Sequence, residues 1–290
     1  MTLRTFTIES DDESANLVLR CDVIQNKKIA KALKENPIRI IGELSNSSNG
    51  ALLGEIQVSD DELFSVVIKP AVHENPLIDF EWGTLIKREV AAFELSKALG
   101  WDIVPLTVLR DVENMECSVQ VFIPHDPREH YFTMAKNHSD VMEKFCVFDY
   151  LTNNADRKAG HILLEQTESF SFKPAPPIVE DEDEEVVHIT PTKLKNNSNG
   201  SDRFYGIDHG LTFNIDDKLR TVIWEFSEAQ ISQQLLEDIA KSFNSFEQVL
   251  KPYLNDHEIE KTVLRTEQIL MNPFHRALDA NPRAFPWPLV

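Results

Sequence analysis

Residues Thr152 to Leu163 read TNNADRKAGHIL, and the reading of this stretch decides the fold. An apolar run, Phe145 to Leu151, leads into Asn153, Asn154, Asp156 and Arg157. His161 stands five residues after Asp156 and opens the apolar run Ile162, Leu163, Leu164. Further on comes Gly206-Ile207-Asp208-His209-Gly210. Its strand-like frame is Phe204, Tyr205 and Ile207 on one side and Leu211 and Phe213 on the other. Each motif carries one aspartate in an otherwise apolar setting.

Phosphoryl transfer is a chemistry that uses such a pair. A phosphoryl group in flight spreads charge over its equatorial oxygens, so catalysis consists mainly of holding nucleotide, metal and acceptor in line. One carboxylate is needed near the acceptor hydroxyl and another on the metal. Protein kinases separate a base Asp from a metal-binding Asn as Asp156 is separated from His161, and follow with an Asp-Phe-Gly that holds Mg²⁺. Here the later motif is Asp-His-Gly. Either motif alone is matched equally well by a solvated turn; the two in this order favour the catalytic reading.

With 290 residues and 42% hydrophobic content the chain can bury a substantial core, as one large domain or two lobes. A formal net charge of −19 disfavours nonspecific binding to nucleic-acid or membrane phosphates. Local basic groups and a metal can still neutralise a nucleotide. Cys21, Cys117 and Cys146 are too few and too scattered for a disulfide framework or a zinc site. The first residues lack the apolar core of a signal peptide, and no run reaches membrane-spanning length, so a cytoplasmic chain without a stable membrane anchor is expected.

Residues 1–36 read as an N-terminal extension, with strand-like Leu3–Ile8, an apolar run Asn16–Ile24 and a basic helix Asn26–Glu35 ended by Pro37. Residues 37–124 read as a β-rich lobe. Strands are expected at Arg39–Leu44, Leu52–Val58, Leu63–Ile68, Ile103–Leu109 and Cys117–Ile123. The turn Ser45 to Gly50, with Ser47, Ser48 and Asn49, has hydroxyls and amides that can reach a phosphate, although an ordinary hairpin tip looks the same. Lys69 closes an apolar strand, and Glu89 opens an amphipathic helix that Gly100 ends. Lys69 gripping phosphates with Glu89 as its partner is the expected pairing; Glu94 competes for that role. The stretch Gln120–Pro124, with Gln120 and Phe122, is the candidate hinge whose backbone pairs with adenine.

Residues 125–290 read as a helical lobe. A helix Ser139–Leu151 delivers the chain to Asp156, and helices are expected near Glu228–Phe243, Ser245–Leu254 and Asp256–Met271. Within this lobe, residues 165–203 read as a mobile acidic insertion around Glu180 to Glu185. The Pro-rich end, Pro282–Val290 with Trp287, is expected to pack against the helices.

The motifs Ser47 to Gly50, Val67-Ile68-Lys69-Pro70, Trp82 to Ala92, Gly100 to Pro105, Asn153 to His161, Gly206 to Leu211 and Asp217 to Trp224, with the C-terminal Trp287-Pro288, together resemble the phosphatidylinositol 3-/4-kinase-like branch of the kinase fold, and within it a short actinobacterial family. The resemblance spans about residues 40 to 225. It implies an α+β, two-lobed protein-kinase-like fold of the atypical type, with a β-rich N-lobe, a helical C-lobe and ATP bound with Mg²⁺ or Mn²⁺. It implies Asp156 and Arg157 as catalytic residues and Asp208 and His161 as metal ligands. Ser47, Ser48, Asn49, Lys69, Glu89, Gln120 and Phe122 would bind the nucleotide. At His161 the sequence departs from the Asn usual in lipid kinases, and imidazole suits softer ions than Mg²⁺. The expected activity is transfer of a γ-phosphoryl group to a hydroxyl acceptor. A nucleotide-binding pseudokinase scaffold and an adenylyl transferase on the same fold are the alternatives.

Overall fold

The computed structural model describes residues 4–9, 14–19, 27–44, 50–59, 62–166, 172–174, 189–191, 202–278 and 282–290. The chain divides into two units. One comprises Met1–Asn75, Pro105–Asp126 and Glu165–Asp202; the other comprises Pro76–Val104, Pro127–Leu164 and Arg203–Val290.

The first unit opens with an antiparallel pair, β1 (Arg4–Glu9) and β2 (Ser14–Leu19). Its centre is a five-stranded antiparallel sheet made of β3 (Ile38–Glu43), β4 (Leu52–Ser59), β5 (Glu62–Pro70), β6 (Thr107–Val112) and β7 (Met115–Val121). The spatial order is β3-β4-β5-β7-β6. Alternating apolar residues make the strands. Phe64, Val66 and Ile68 of β5 are fully buried, as are Ile56 of β4 and Val119 of β7. Gly54 lets β4 sit close to its neighbours, because a Cβ there would lie 2.8 Å from side-chain carbons of both Ile38 and Ile68. Helix α1 (Lys27–Glu35) buries Ile29, Ala32 and Leu33, at i, i+3 and i+4. Its last carbonyls are satisfied by Arg110 Nη1, which donates to Leu33 O and Asn36 O at 2.8 Å each. The strand expected at Ile103 begins only at Thr107, since Pro105 offers no N–H to a ladder. Within the acidic insertion, β9 (Phe172–Pro174) and β10 (Ile189–Pro191) pair antiparallel. The run Glu180 to Glu185 lies outside the described residues.

The second unit is helical. It contains α2 (Leu85–Ala98), α3 (Tyr131–Met134), α4 (Ser139–Thr152), α5 (Gln233–Ser242), α6 (Phe246–Leu250) and α7 (Asp256–Met271). It also holds a short antiparallel pair, β8 (Ile162–Leu164) with β11 (Phe204–Gly206). Helix α4 buries Met142, Phe145, Phe148 and Leu151 completely, a single stripe at helical spacing. Gly100, at φ +68°, ends α2 as expected, and Trp101 N donates to Ser96 O at 3.0 Å. Helix α5 starts five residues later than its apolar pattern suggested. Glu228 is left-handed at φ +60°, and the Ser232 amide donates to Glu143 Oε1 at 2.7 Å instead of joining a helix.

Helices α2 and α7 are locked by one buried carboxylate. Glu258 Oε2 accepts the Asn255 amide at 2.9 Å, and Asn255 Oδ1 accepts the Glu258 amide at 3.0 Å, a reciprocal cap on α7. The other oxygen of Glu258 pairs with Arg88 of α2, whose Nη1 also donates to Thr212 O at 2.8 Å. Among the described residues no helix is long and apolar enough to cross a membrane.

Candidate active site

The β8–β11 pair brings the two acidic motifs together. Gly206 stands opposite Ile162 in the register, and the Ile207 amide donates to His161 O at 3.0 Å. His161, one residue before Ile162, and Asp208, two residues after Gly206, follow, and their Nε2 and Oδ2 are 3.3 Å apart. Asp208 is left-handed at φ +61°, a conformation a residue other than glycine keeps only where its surroundings hold it. Here the hold comes from both sides: Ile207 on His161 O, and the His209 amide on Glu89 Oε2 at 3.0 Å. Gly206 is required by space, because a Cβ would lie 2.8 Å from Phe145 Cε1 and 3.4 Å from both Arg157 terminal nitrogens.

The loop after α4 is fixed by its asparagines. Asn153 ends the helix at φ +49°, and its amide group donates to Asn214 O and Asp216 O while accepting the Lys218 amide. Asn154 accepts the Asp156 amide at 2.9 Å and donates to Asp149 Oδ1 at 3.0 Å. Further backbone bonds strap the loop down: Ala155 N to Leu211 O, Arg157 N to Arg220 O and Val222 N to Arg157 O.

Arg157 is the clamp between the motifs and not a group that meets a substrate. Its side chain and that of Asp149 are both 0% exposed. Nε reaches Asp149 Oδ1 and Oδ2 at 3.0 and 3.1 Å, Nη1 donates to Ile207 O at 3.0 Å, and Nη2 donates to His209 Nε2 at 2.8 Å. This corrects the catalytic role expected for Arg157: every direction of its guanidinium is spent on protein. Because arginine only donates, His209 Nε2 is the unprotonated nitrogen, and His209 is neutral. Burial pushes the Asp149 carboxyl upward; Arg157, Asn154 and Thr221 oppose that push.

Asp156 faces a wetter space. Its side chain is 22% exposed, and Lys158 Nζ lies 3.2 Å from its Oδ2. Burial raises its pKa above the ordinary 3.8, Lys158 pulls it back, and the charge of Asp208 pushes it up again. The two aspartates therefore sense each other's charge within one unit. His161 Nδ1 accepts the Lys158 amide at 3.4 Å, which leaves the ring proton on Nε2, pointing at Asp208. Among the described residues, no three His, Cys, Asp or Glu side chains converge on a point where they could hold a metal alone. A hard divalent ion bound by one or two carboxylates plus nucleotide phosphates fits such a donor set.

The expected nucleotide residues fall in several places. Ser47, Ser48 and Asn49 lie outside the described residues. Lys69 is half-buried in β5, opposite Ser118 of β7. Glu89 is buried in α2 and accepts from the His209 amide. The Gln120 side chain is buried within the sheet, donating to Thr107 Oγ1 at 2.8 Å. Phe122 is half-buried, and its amide is used by Ser65 O at 3.0 Å. Sequence reasoning missed Asp149, Lys158 and His209. The available signal was a lone carboxylate inside the apolar run Phe145 to Leu151.

These features define a class. The chain has the protein-kinase-like two-lobed fold, with an antiparallel five-stranded N-lobe sheet and a helical C-terminal part. The Golgi casein kinase crystallised with Mn/ADP bound shares this fold at a TM-score of 0.50 and 13% identity, over 85% of this chain and 76% of that one. Two other solved structures are similar at lower scores. The Helicobacter pylori proinflammatory kinase CtkA has a TM-score of 0.41 at 10% identity, over 77% and 90% of the two chains. Hydra Fam20 with sugar has 0.42 at 12%, over 83% and 86%. By sequence, the chain is similar to Protein Rv2133c of Mycobacterium tuberculosis (strain ATCC 25618 / H37Rv). They are 27% identical over 296 residues, which is 88% of this chain and 93% of that protein. No family model matches.

Proposed function

We propose that the protein is an ATP-dependent phosphotransferase of the atypical, phosphatidylinositol 3-/4-kinase-like type, passing a γ-phosphoryl group to a hydroxyl acceptor. The observation that carries the reading is the β8–β11 pair, which sets Asp208 3.3 Å from His161, five residues along the chain from Asp156. Asp156 orients the acceptor hydroxyl and takes its proton. Lys158 keeps that carboxylate ionised. Asp208 is the side chain to hold a divalent cation, which when bound neutralises charge on the phosphate oxygens. His161, with its proton on Nε2, orients Asp208 or donates to phosphate; ligation through Nε2 requires the other tautomer. By the resemblance, Lys69, Ser47, Ser48 and Asn49 would bind the nucleotide phosphates.

The His161–Asp208 contact favours a second reading, a pseudokinase scaffold in which the imidazole occupies the carboxylate that a metal needs. One experiment separates the readings: thermal shift with ATP and Mg²⁺ or Mn²⁺, then turnover with label on the γ- or the α-phosphate. Metal-dependent stabilisation with γ-label transfer or release, lost in Asp208→Ala, is expected. Binding without turnover selects the scaffold. Transfer of α-label selects adenylylation. Full metal-dependent turnover in Asp208→Ala overturns the assignment.

A further inference from the structure

The segment Pro282–Val290 lies against the loop that bears Asp156. Leu289 O accepts the Ala159 amide at 2.7 Å, and Ala284 O accepts both the Thr221 amide at 3.1 Å and Trp224 Nε1 at 3.3 Å. Thr221 in turn bridges Arg157 in parallel. Ala284 and Pro286 are buried, and the Phe285 ring meets Trp224 edge-on at 6.4 Å. The segment is thus anchored at both ends, and its exposed large apolar side chains are Phe285, Trp287, Leu289 and Val290. Trp287 is 88% exposed, and the other three are 38%, 38% and 58% exposed. Contiguous exposed apolar groups of this size mark binding surfaces more often than they mark ordinary surface. Ala159 is three residues from Asp156, at most about 11 Å along the chain. A polymeric acceptor whose hydroxyl reaches Asp156 is long enough to reach this strip as well.

We infer that the strip Phe285–Val290 is the docking surface for a polypeptide acceptor, which places an apolar side chain against Trp287 while its hydroxyl residue faces Asp156. The inference rests on the phosphotransferase reading and names its acceptor class. Continuity with the catalytic loop argues for an acceptor in place of an unrelated partner. The formal charge of −19 argues against an anionic lipid surface or a nucleic acid. An exposed tryptophan held on an anchored backbone is the kind of group that dominates a contact energetically.

The test uses the full chain, ATP labelled on the γ-phosphate, and Ser- and Thr-centred peptide libraries with randomised flanks, alongside anionic lipid vesicles. The wild type is expected to label peptides with a preference for an apolar residue at one flanking position. Trp287→Ala is expected to reduce that preference roughly tenfold, the loss of one aromatic anchor, while acceptor-independent ATP turnover is unchanged. Trp287→Phe should restore most of it. Equal selection in wild type and Trp287→Ala, or labelling of vesicles and not of peptides, overturns the inference and leaves the kinase reading standing. A change of oligomeric state in Trp287→Ala, read by light scattering, with peptide selection intact, reassigns the strip to self-association. Absence of any ATP turnover in the wild type removes both readings together.

Discussion

The Arg157 guanidinium donates to Nε2 of His209 at 2.8 Å, and neither side chain reaches solvent. The same guanidinium holds Asp149 and the carbonyl of Ile207, so one buried cation joins helix α4, the Asp156 loop and the Asp208 turn. Removing one partner of a buried ion pair strands the other charge in a low dielectric. That costs about 3–5 kcal/mol. Arg157→Ala is expected to be destabilised by that amount in urea unfolding. Replacing both partners, as in Asp149→Leu with Arg157→Met, is expected to cost clearly less than the sum of the single variants. Additive losses would show that the two residues do not act as a pair.

The protonation of Asp156 offers a signed test. Burial raises its pKa above 3.8, Lys158 lowers it and Asp208 raises it. Lys158→Met is expected to move the Asp156 titration upward, and Asp208→Asn to move it downward, both read by NMR of the carboxyl carbon. For a base that acts ionised, the acid limb of the pH–rate profile follows the same directions. The stability sign follows from linkage. A carboxyl whose folded pKa is raised favours the folded state most below its unfolded value of 3.8, and that contribution is lost as pH rises through the folded value. A downward shift in Lys158→Met, or an upward shift in Asp208→Asn, would refute the charge arrangement described.

The two aspartate motifs stood out in the sequence by their apolar frames, and the β8–β11 pair brings those frames together. The sheet was legible because its strands alternate. What holds the pair was not legible. Asp149 lies inside Phe145 to Leu151, where six other residues spell a buried helix, and only the fold shows that its charge is answered eight residues later. Arg157 looked catalytic because it adjoins Asp156, and the alternation that turns it inward depends on the bridge to Thr221, 64 positions away. That the Gln120 side chain meets Thr107 follows from a strand register the sequence does not show.

His275 reports on the packing of the C-terminal part. Its Nε2 lies 3.1 Å from Glu143 Oε1 and its Nδ1 3.5 Å from Cys146 Sγ, while its amide donates to Ala229 O. Burial lowers its pKa below the ordinary 6.5, against the pull of Glu143. A base with a depressed pKa gives stability that is present above its unfolded pKa and lost as pH falls through the folded value. Wild-type stability is therefore expected to decline as pH drops below about 6.5, and His275→Gln to flatten that slope. An unchanged slope in the variant would assign the acid sensitivity to other groups.

Metal preference tests the tautomer of His161. The Lys158 amide occupies Nδ1, so the proton sits on Nε2 and the ring donates toward Asp208. In that state the ring has no lone pair for a cation. If His161 acts as this donor, His161→Asn, whose side-chain amide can also donate, retains metal-dependent ATP binding. The Mg²⁺ affinity is then expected to change by no more than a few-fold, and the Mn²⁺/Mg²⁺ ratio to stay as in the wild type. If His161 is instead a ligand, exchange of nitrogen for amide oxygen shifts the ratio toward Mg²⁺, because harder ions favour oxygen. His161→Leu separates the roles further, since it can neither donate nor ligate. Equal loss of Mn²⁺ and Mg²⁺ binding in that variant marks an orienting donor for Asp208, whereas selective loss of Mn²⁺ marks a direct nitrogen ligand.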